Sequence, residues 1–253
     1  RSVDCGTPDG RIERYVARGG LVLTTGDFSA SPELKERFAS VAIARIGPIN
    51  PTNTGDGHIM AMKVGARVVN GNVVNAGIRF VPPPRRNWIM AIPPWPPLTA
   101  FMAWALDHLP GWLIRPFVLS FLTTVLGLTG ELFEHGAILV NKSGARFCDE
   151  FDKPVWKLAE QAEQTGFVIF DRRLAERLTA YPYFISTAAG VAYAYLPDYR
   201  RSRPDVYAES PTLAGLAQKI GVDAQALQDA VTQYNQTVQA GRRNPRGEAL
   251  SAI

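Results

Sequence analysis

An α+β fold is predicted, with a partial α/β domain joined to an α+β domain, and three features of the sequence carry that expectation. A β-branched run ends on glycine and leads into a capped helix, short apolar strands with polar turns occupy the middle, and a helical pair closes the chain. With 253 residues, 46% of them hydrophobic and 20% charged, one large core or two modest ones can form.

In chain order, "RIERYVARGGLVLTTG" from Arg11 reads as a strand, a turn at Gly19-Gly20 and a second strand suited to burial. "SPELKERFAS" reads as a helix with Ser31 as cap, Pro32 at its first position and Glu33 in its first turn, where the dipole favours an acid. "NTGDGHIMAMKVGA" gives a short helix ending near Gly65, and "ARVVNGNVVNAGIRFV" a hairpin turning at Asn70-Gly71. Residues 82–133 differ in kind, being rich in Trp and Pro, with helices expected after Pro97 and Pro116. Beyond them "GAILVNKSGARFCDE" reads as a hairpin, "VWKLAEQAEQ" as a helix, "GFVIFD" as a strand and "RRLAERL" as a helix, while 183–210 is too irregular to assign. The end is an αα-hairpin around Gly221, its helices capped by Ser210, with Pro211 at the first position, and by Asp223. Three domains are expected, 1–81, 82–135 and 136–253.

Composition narrows the function classes. The net charge of +4 is spread over separate clusters, so the continuous basic stripe of a nucleic-acid binder is missing. Cys5 and Cys148 lie far apart without CxxC spacing, which points to reduced thiols, a cytoplasmic setting and no metal site. The charge-free run Pro116–Gly130 is too short and too rich in Thr, Gly and Pro for a spanning helix. Trp88, Trp95, Trp104 and Trp112 near Arg85, Arg86 and Arg115 suit an enlarged apolar core, a membrane interface through 88–133, or entry of an apolar substrate.

Thr54-Gly55-Asp56-Gly57 is the motif with the most chemistry. Glycine on both sides of Asp56 lets a ligand approach the backbone, and the carboxylate suits a neutral donor-rich group better than a phosphate. Taken alone it reads equally as a helix start with Asp56 complementing the dipole. In order with "LVLTTGDF", "GAILVNKSGARFCDE", "FVIFD" and a final helix ending "YNQTVQAG", however, it resembles the flavoprotein family of fumarate reductases, succinate dehydrogenase flavoprotein subunits and 3-ketosteroid dehydrogenases. That resemblance covers nearly all of the chain outside the Trp/Pro-rich insertion.

The resemblance implies FAD as cofactor, a partial FAD-binding domain and a capping domain over the substrate. It implies flavin contacts at Thr24, Thr25, Gly26, Asp27, Thr54, Gly55, Asp56 and Gly57, with Asp27 standing where the family has a glycine. Arg146 and Glu150 match its RF-x-x-E positions, whereas Pro154 occupies the place of the family's acid, leaving neighbouring Lys153 as the candidate proton donor. The histidine that dicarboxylate reductases carry after the TGDG helix has no counterpart in "NVVNAGIRFV", which disfavours fumarate and favours an apolar, steroid-like ketone. No GxGxxG occurs, so the sequence is read as an internal portion of a flavoenzyme, binding FAD poorly by itself. The competing expectation is a non-catalytic flavin-binding or membrane-associated relative that lost its proton-transfer residue. Lesser candidates are His58, read as solvated, His108 at a helix end, His135 in a loop, Cys148 as a packing residue, and a tyrosine acid among Tyr181, Tyr183, Tyr193, Tyr195 and Tyr199.

Overall fold

The computed structural model describes residues 2–74, 76–80, 95–123, 126–188 and 192–253. Two compact units, Arg1–Val74 and Asn75–Ile253, make up the chain. Trp88, Arg85 and Arg86 fall outside the described residues.

The first unit begins with a hairpin in which β1 (Ser2–Gly6) pairs antiparallel with β2 (Ile12–Val16). Its turn is the "TPDG" stretch: Gly10 takes φ +82 and donates its N–H to Thr7 O at 2.9 Å. Directly across the hairpin, Arg14 grips Asp4 through two hydrogen bonds of 2.6 and 2.8 Å. The second, buried strand expected after the turn at Gly19-Gly20 does not form. Leu21–Thr25 is not in a strand, and Val22 is 84% exposed. A β-branched run becomes a strand only when a neighbour takes its N–H and C=O groups, and no described segment does so.

Helix α1 (Pro32–Phe38) forms as expected, with Ser31 Oγ accepting from Leu34 N at 3.2 Å. A short α2 (Val41–Ala44) follows, capped by Ser40. Helix α3 (Asp56–Lys63) carries the TGDG motif at its start, and Gly65 at φ +95 follows its end. Asn70-Gly71 does turn, with Asn70 at φ 57, but no paired strands flank it, so the expected hairpin is absent from the described residues.

In the second unit α4 (Pro96–His108) and α5 (Gly111–Leu122) form a helical pair joined at Leu109-Pro110. Pro116 lies inside α5 rather than ahead of it, a second correction: the helix already starts at Gly111. Next come β3 (Gly127–Leu128), α6 (Glu131–Glu134) and β4 (Ile138–Asn141). These lead to α7 (Pro154–Ala159), β5 (Gly166–Ile169) and α8 (Arg172–Arg177). The stretch the sequence left unassigned supplies β6 (Ser186–Ala188), β7 (Ala192–Ala194) and α9 (Leu196–Ser202). Antiparallel pairings build two small sheets, β3-β6-β7 and β4-β5. This is the expected α+β class.

Strand β4 explains how the unit holds together. Ile138 and Val140 point to one cluster with Leu227, Val231 and Tyr234, while Leu139 points to the other with Leu132, Leu174 and Tyr199. A period of two therefore sends alternate residues into two cores, and the strand reads as a continuous apolar run because both faces are covered. The final pair, α10 (Leu213–Ile220) and α11 (Ala224–Gln239), covers one of those faces. Leu227, Ala230, Val231 and Tyr234 of α11 are buried, the i, i+3, i+4, i+7 stripe of a helix on a core. Asp223 caps α11 as expected, accepting from Ala226 N at 2.7 Å. The cap of α10 is Thr212, not Ser210: Thr212 Oγ1 sits three residues before Gly215 and accepts its N–H at 3.1 Å, whereas Ser210 Oγ accepts from Thr212 N.

Candidate functional site

Two turns of the first unit are stitched together, and they are the two the sequence singled out. The Ala30 N–H donates to Asn53 O at 2.9 Å, tying the turn before α1 to the turn before α3. Asn50 braces the second turn, its Oδ1 accepting from Thr52 N and Thr52 Oγ1 at 3.1 and 2.7 Å. Asn50 Nδ2 also donates to Asn53 Oδ1 at 2.9 Å. Neither asparagine was among the predicted site residues, although "NPTN" is a turn-forming signature that could have pointed to them.

Glycine is required here by space as well as by dihedral. Gly26 and Gly55 both adopt φ +81. A Cβ on Gly26 would lie 2.8 Å from Asn53 Oδ1, and one on Gly55 would lie 2.7 Å from Phe28 Cβ and collide with Leu34 Cδ1. A Cβ on Gly57 would strike Thr25 Oγ1. Thr25-Gly26 and Asn53–Gly57 are thus in mutual contact, held from beneath by Phe28 and Leu34. Phe28 in turn packs against Phe38 and, edge-on, against His58 at 5.1 Å between ring centroids.

Thr24, Thr25, Gly26, Asp27 and Asp56 are exposed and Thr54 is at the surface, while Gly55 and Gly57 are buried between the turns. No side chain caps α3, so the N–H groups ahead of Ile59, which donates to Gly55 O at 3.0 Å, have no intrahelical acceptor. Three threonine hydroxyls, the Asp56 carboxylate and an uncapped helix start therefore lie on closely packed turns. This set suits a ligand bearing hydroxyls and ring N–H groups, so the residues fit the cofactor that the sequence implied. Asp27 is turned to a local task instead. Its Oδ1 accepts from Ser29 N at 2.8 Å, and that backbone bond, aided by the Ser29 side chain, Asn53 and His58, holds its carboxyl below the usual range.

His58 departs from its expected solvated position. It is half-buried, and its Nδ1 is buried with no hydrogen-bond partner. Together with Met62, Arg67, Val68 and Val69 it lines a cavity of about 240 Å³. Among the described residues no group of His, Cys, Asp and Glu is placed to hold a metal ion.

In the second unit Arg146 holds Glu150 through Nε–Oε1 at 2.9 Å and Nη2–Oε2 at 2.5 Å. Glu150 Oε1 also accepts from Leu139 N at 3.0 Å, and the Arg146 guanidinium lies over the Tyr234 ring at 5.5 Å. One ion pair thereby links β4, its following turn and α11. Pro154 is the first residue of α7, and exposed Lys153 precedes it at φ 49. Cys148 packs against the first core, and burial pushes its thiol up to about 12. Of the candidate tyrosines, Tyr181 is 73% exposed, while Tyr199 is buried, shares a 2.6 Å hydrogen bond with Ser186 Oγ, and is pushed up to about 12 by burial. Tyr183 meets His135 edge-on and lies under Arg177, and Tyr195 lies under Arg115. Burial, with the Arg177 charge, lowers the affinity of His135 for a proton. His108 ends α4 as expected, stacked on Trp104 with Nδ1 2.9 Å from Trp104 O.

Comparison with known proteins agrees with the flavoprotein resemblance. Residues 4–87 match the family described as FAD binding domain. No curated protein sequence matches the chain. In fold it is similar to the open conformation of a flavocytochrome c3 fumarate reductase, with a TM-score of 0.52 at 21% identity over 90% of this chain and 31% of that one. Two further structures align more loosely. The 3-ketosteroid delta1-dehydrogenase from Sterolibacterium denitrificans, in complex with 1,4-androstadiene-3,17-dione, gives a TM-score of 0.46 at 21% identity over 96% of this chain and 40% of that one. The 3-ketosteroid-delta4-(5alpha)-dehydrogenase from Rhodococcus jostii RHA1, in complex with 4-androstene-3,17-dione, gives 0.41 at 19% identity over 96% and 38%. The chain spans between 31% and 40% of the length of these structures.

Proposed function

We propose, from the match of residues 4–87 to the FAD binding domain family, that this chain is the flavin-contacting and capping portion of an oxidoreductase. Its reaction would add or remove hydrogen across a carbon–carbon bond beside a carbonyl, on an apolar, steroid-like substrate. The observation that carries the reading is the packing of Thr25-Gly26 onto Asn53–Gly57, because it turns two weak motifs into one polar, glycine-lined surface.

FAD, when bound, supplies hydride exchange with a substrate carbon. The chain's own part begins with Asp56, whose carboxylate accepts from a ring N–H or a ribityl hydroxyl. Thr24, Thr25 and Thr54 offer hydroxyls, and Gly26, Gly55 and Gly57 keep the backbone low enough for a ligand to approach. Asp27, satisfied by Ser29, orders the turn without presenting a free acceptor. In the capping portion the Arg146–Glu150 pair fixes the turn after β4, so that Lys153, at the following bend, is the proton carrier assigned for test. Arg146 is engaged by Glu150, and burial disfavours the charged form of His135, which fits an apolar ketone better than a dicarboxylate needing cationic clamps.

Pro154 at the first position of α7 favours a second reading: a non-catalytic, flavin-binding or membrane-associated relative without proton transfer. Flavin copurification and anaerobic bleaching, measured on the protein that carries these residues in full length, separate the two. Bleaching by 3-ketosteroids but not fumarate is expected. A yellow protein bleached by neither supports the second reading, and a colourless one removes the flavin assignment altogether.

A further inference from the structure

Arg79 is half-buried, and its Nε is shut off from solvent without a hydrogen-bond partner. Burial holds its pKa below the usual guanidinium value, and no neighbouring acid offsets that. The adjoining chain cannot supply one: between Asp56 and Asp107 the sequence holds Lys63, Arg67, Arg79, Arg85 and Arg86 and no acid. Three other guanidiniums of the second unit present their Nε–Nη2 edge to a carboxylate. Arg115 takes Asp198 at 3.3 and 2.7 Å, Arg146 takes Glu150 at 2.9 and 2.5 Å, and Arg203 takes Asp205 at 3.1 Å through both nitrogens. Arg79 buries the same Nε with no acid on it.

The sheet sets Arg79 in a row. It bridges antiparallel to Gly127 of β3, Gly127 pairs with Thr187 of β6, and Thr187 pairs with Tyr193 of β7. Paired residues of antiparallel strands share a face, so these four lie on one side of the sheet. The other side is the core: Ile78 and Phe80 pack on it to either side of Arg79, and Ser186 and Ala194, next to Thr187 and Tyr193, are fully buried.

Gly127 gives the row its room. A Cβ there would meet only Thr187 O, at 3.8 Å, so the space between Arg79 and Thr187 is not filled by a side chain of its own strand. Thr187 Oγ1 donates to Ala192 O at 2.9 Å, which leaves its lone pairs to accept. At the far end the Tyr193 ring meets Phe184 at 4.9 Å and Tyr181 at 6.2 Å between centroids. A cationic end, a polar middle and an aromatic end therefore span three strand spacings, about 14 Å at ~4.8 Å each. One buried cation calls for one anion, the planar Nε–Nη2 fork matches a carboxylate, and the aromatic end suits fused apolar rings.

We infer that the Arg79–Gly127–Thr187–Tyr193 row binds an elongated apolar molecule ending in one carboxylate, with Arg79 on the carboxylate and the tyrosine end against the rings. This rests on the proposed function for the ring skeleton and adds the carboxylate to it. The test is equilibrium dialysis of the full-length protein carrying these residues with 3-oxo-4-cholenoic acid and with its methyl ester, which keeps the rings and removes the charge. The acid is expected to bind roughly tenfold or more tightly than the ester, and Arg79→Leu to erase that preference by weakening the acid alone. Leucine removes a buried charge and keeps apolar bulk, so folding should persist, with a thermal midpoint by circular dichroism that holds or rises. Gly127→Val is the second variant. Its Cβ fits and its branched side chain suits a strand, yet it fills the row, so both ligands should weaken about tenfold with Arg79 untouched. Four results overturn the inference: no binding of the acid, acid and ester bound equally, an acid preference that survives Arg79→Leu, or Gly127→Val without effect on either ligand. Flavin absorbance and anaerobic bleaching in the same samples test the oxidoreductase reading separately. A colourless protein that prefers the acid through Arg79 keeps the row and loses the flavin, and a protein bleached by both compounds that binds them equally does the reverse.

Discussion

Replacing Gly57 with alanine tests whether the two turns of the candidate site press on one another. The new Cβ would strike Thr25 Oγ1, and an overpacked contact of this kind costs about 1–3 kcal/mol. Gly57 lies within α3 at a dihedral open to any residue, so without the clash alanine would instead gain about 0.4–1 kcal/mol. The clashing atom is the threonine hydroxyl, and Thr25→Ala removes it. Gly57→Ala should therefore destabilise α3 in the parent and be neutral or stabilising beside Thr25→Ala, a coupling of about 2 kcal/mol. All five tryptophans lie beyond residue 74, so emission is blind to this unit. Amide hydrogen exchange of peptides spanning 56–63 reads it directly, through faster exchange in the single variant and recovery in the double. Equal protection changes in both backgrounds would refute the contact and leave the two motifs as unrelated turns.

Other consequences follow from the second unit. Arg146→Met leaves the 2%-exposed Glu150 side chain without its ion-pair partner, and should lower stability by about 3–5 kcal/mol in urea unfolding followed by tryptophan emission; a loss below about 1 kcal/mol would mean that water reaches the carboxylate. Tyr199 and Tyr234 have hydroxyls raised to about 12 in the fold, above their usual 10. The neutral form is the one the fold favours, so this stability is fully present below pH 10 and lost as pH rises from 10 toward 12. Spectrophotometric titration at about 295 nm should find two hydroxyls lagging the rest, with stability falling by roughly 1.4 kcal/mol per hydroxyl for every tenfold drop in proton concentration across that range. Thiol labelling near pH 8 should find Cys5, which is exposed, reacting at once and Cys148, whose thiol lies near 12, reacting only on unfolding; two fast thiols would contradict its place in the core.

Elements whose signal is local were legible in the sequence. Ser31 and Asp223 cap as expected because a side-chain oxygen three residues before a free N–H is a short-range device. The β1–β2 hairpin was misread although Pro8-Asp9-Gly10 marks its turn, because the apolar run Leu21–Thr25 competed for the same strand. Strands β6 and β7, three residues each, hold too few positions for any period to emerge. At the site, TGDG was recognised but Asn53 was not. Its role lies in a carbonyl given to Ala30 and in space beneath Gly26, and neither leaves a trace in residue type.

Exposed apolar residues occur in both units, and the backbone beneath them separates their meanings. Val22 and its neighbours lie on chain without a strand or helix, where water takes their exposed N–H and C=O groups, so covering them would have to replace those hydrogen bonds as well as bury apolar side chains. A second polypeptide strand can supply both, whereas a lipid surface can supply neither for a bare backbone. In α4 every interior N–H is already spent within the helix, for example Leu109 N on Ala105 O at 3.0 Å, and only the side chains remain to be covered. Lipid suffices there, and a strand has nothing to pair with. Covering the Leu21–Thr25 run would therefore require replacement hydrogen bonds for its backbone, whereas covering Trp95–Leu113 would require only apolar contact. The same visible exposure thus sets two different physical demands, and the hydrogen bonds under it decide which.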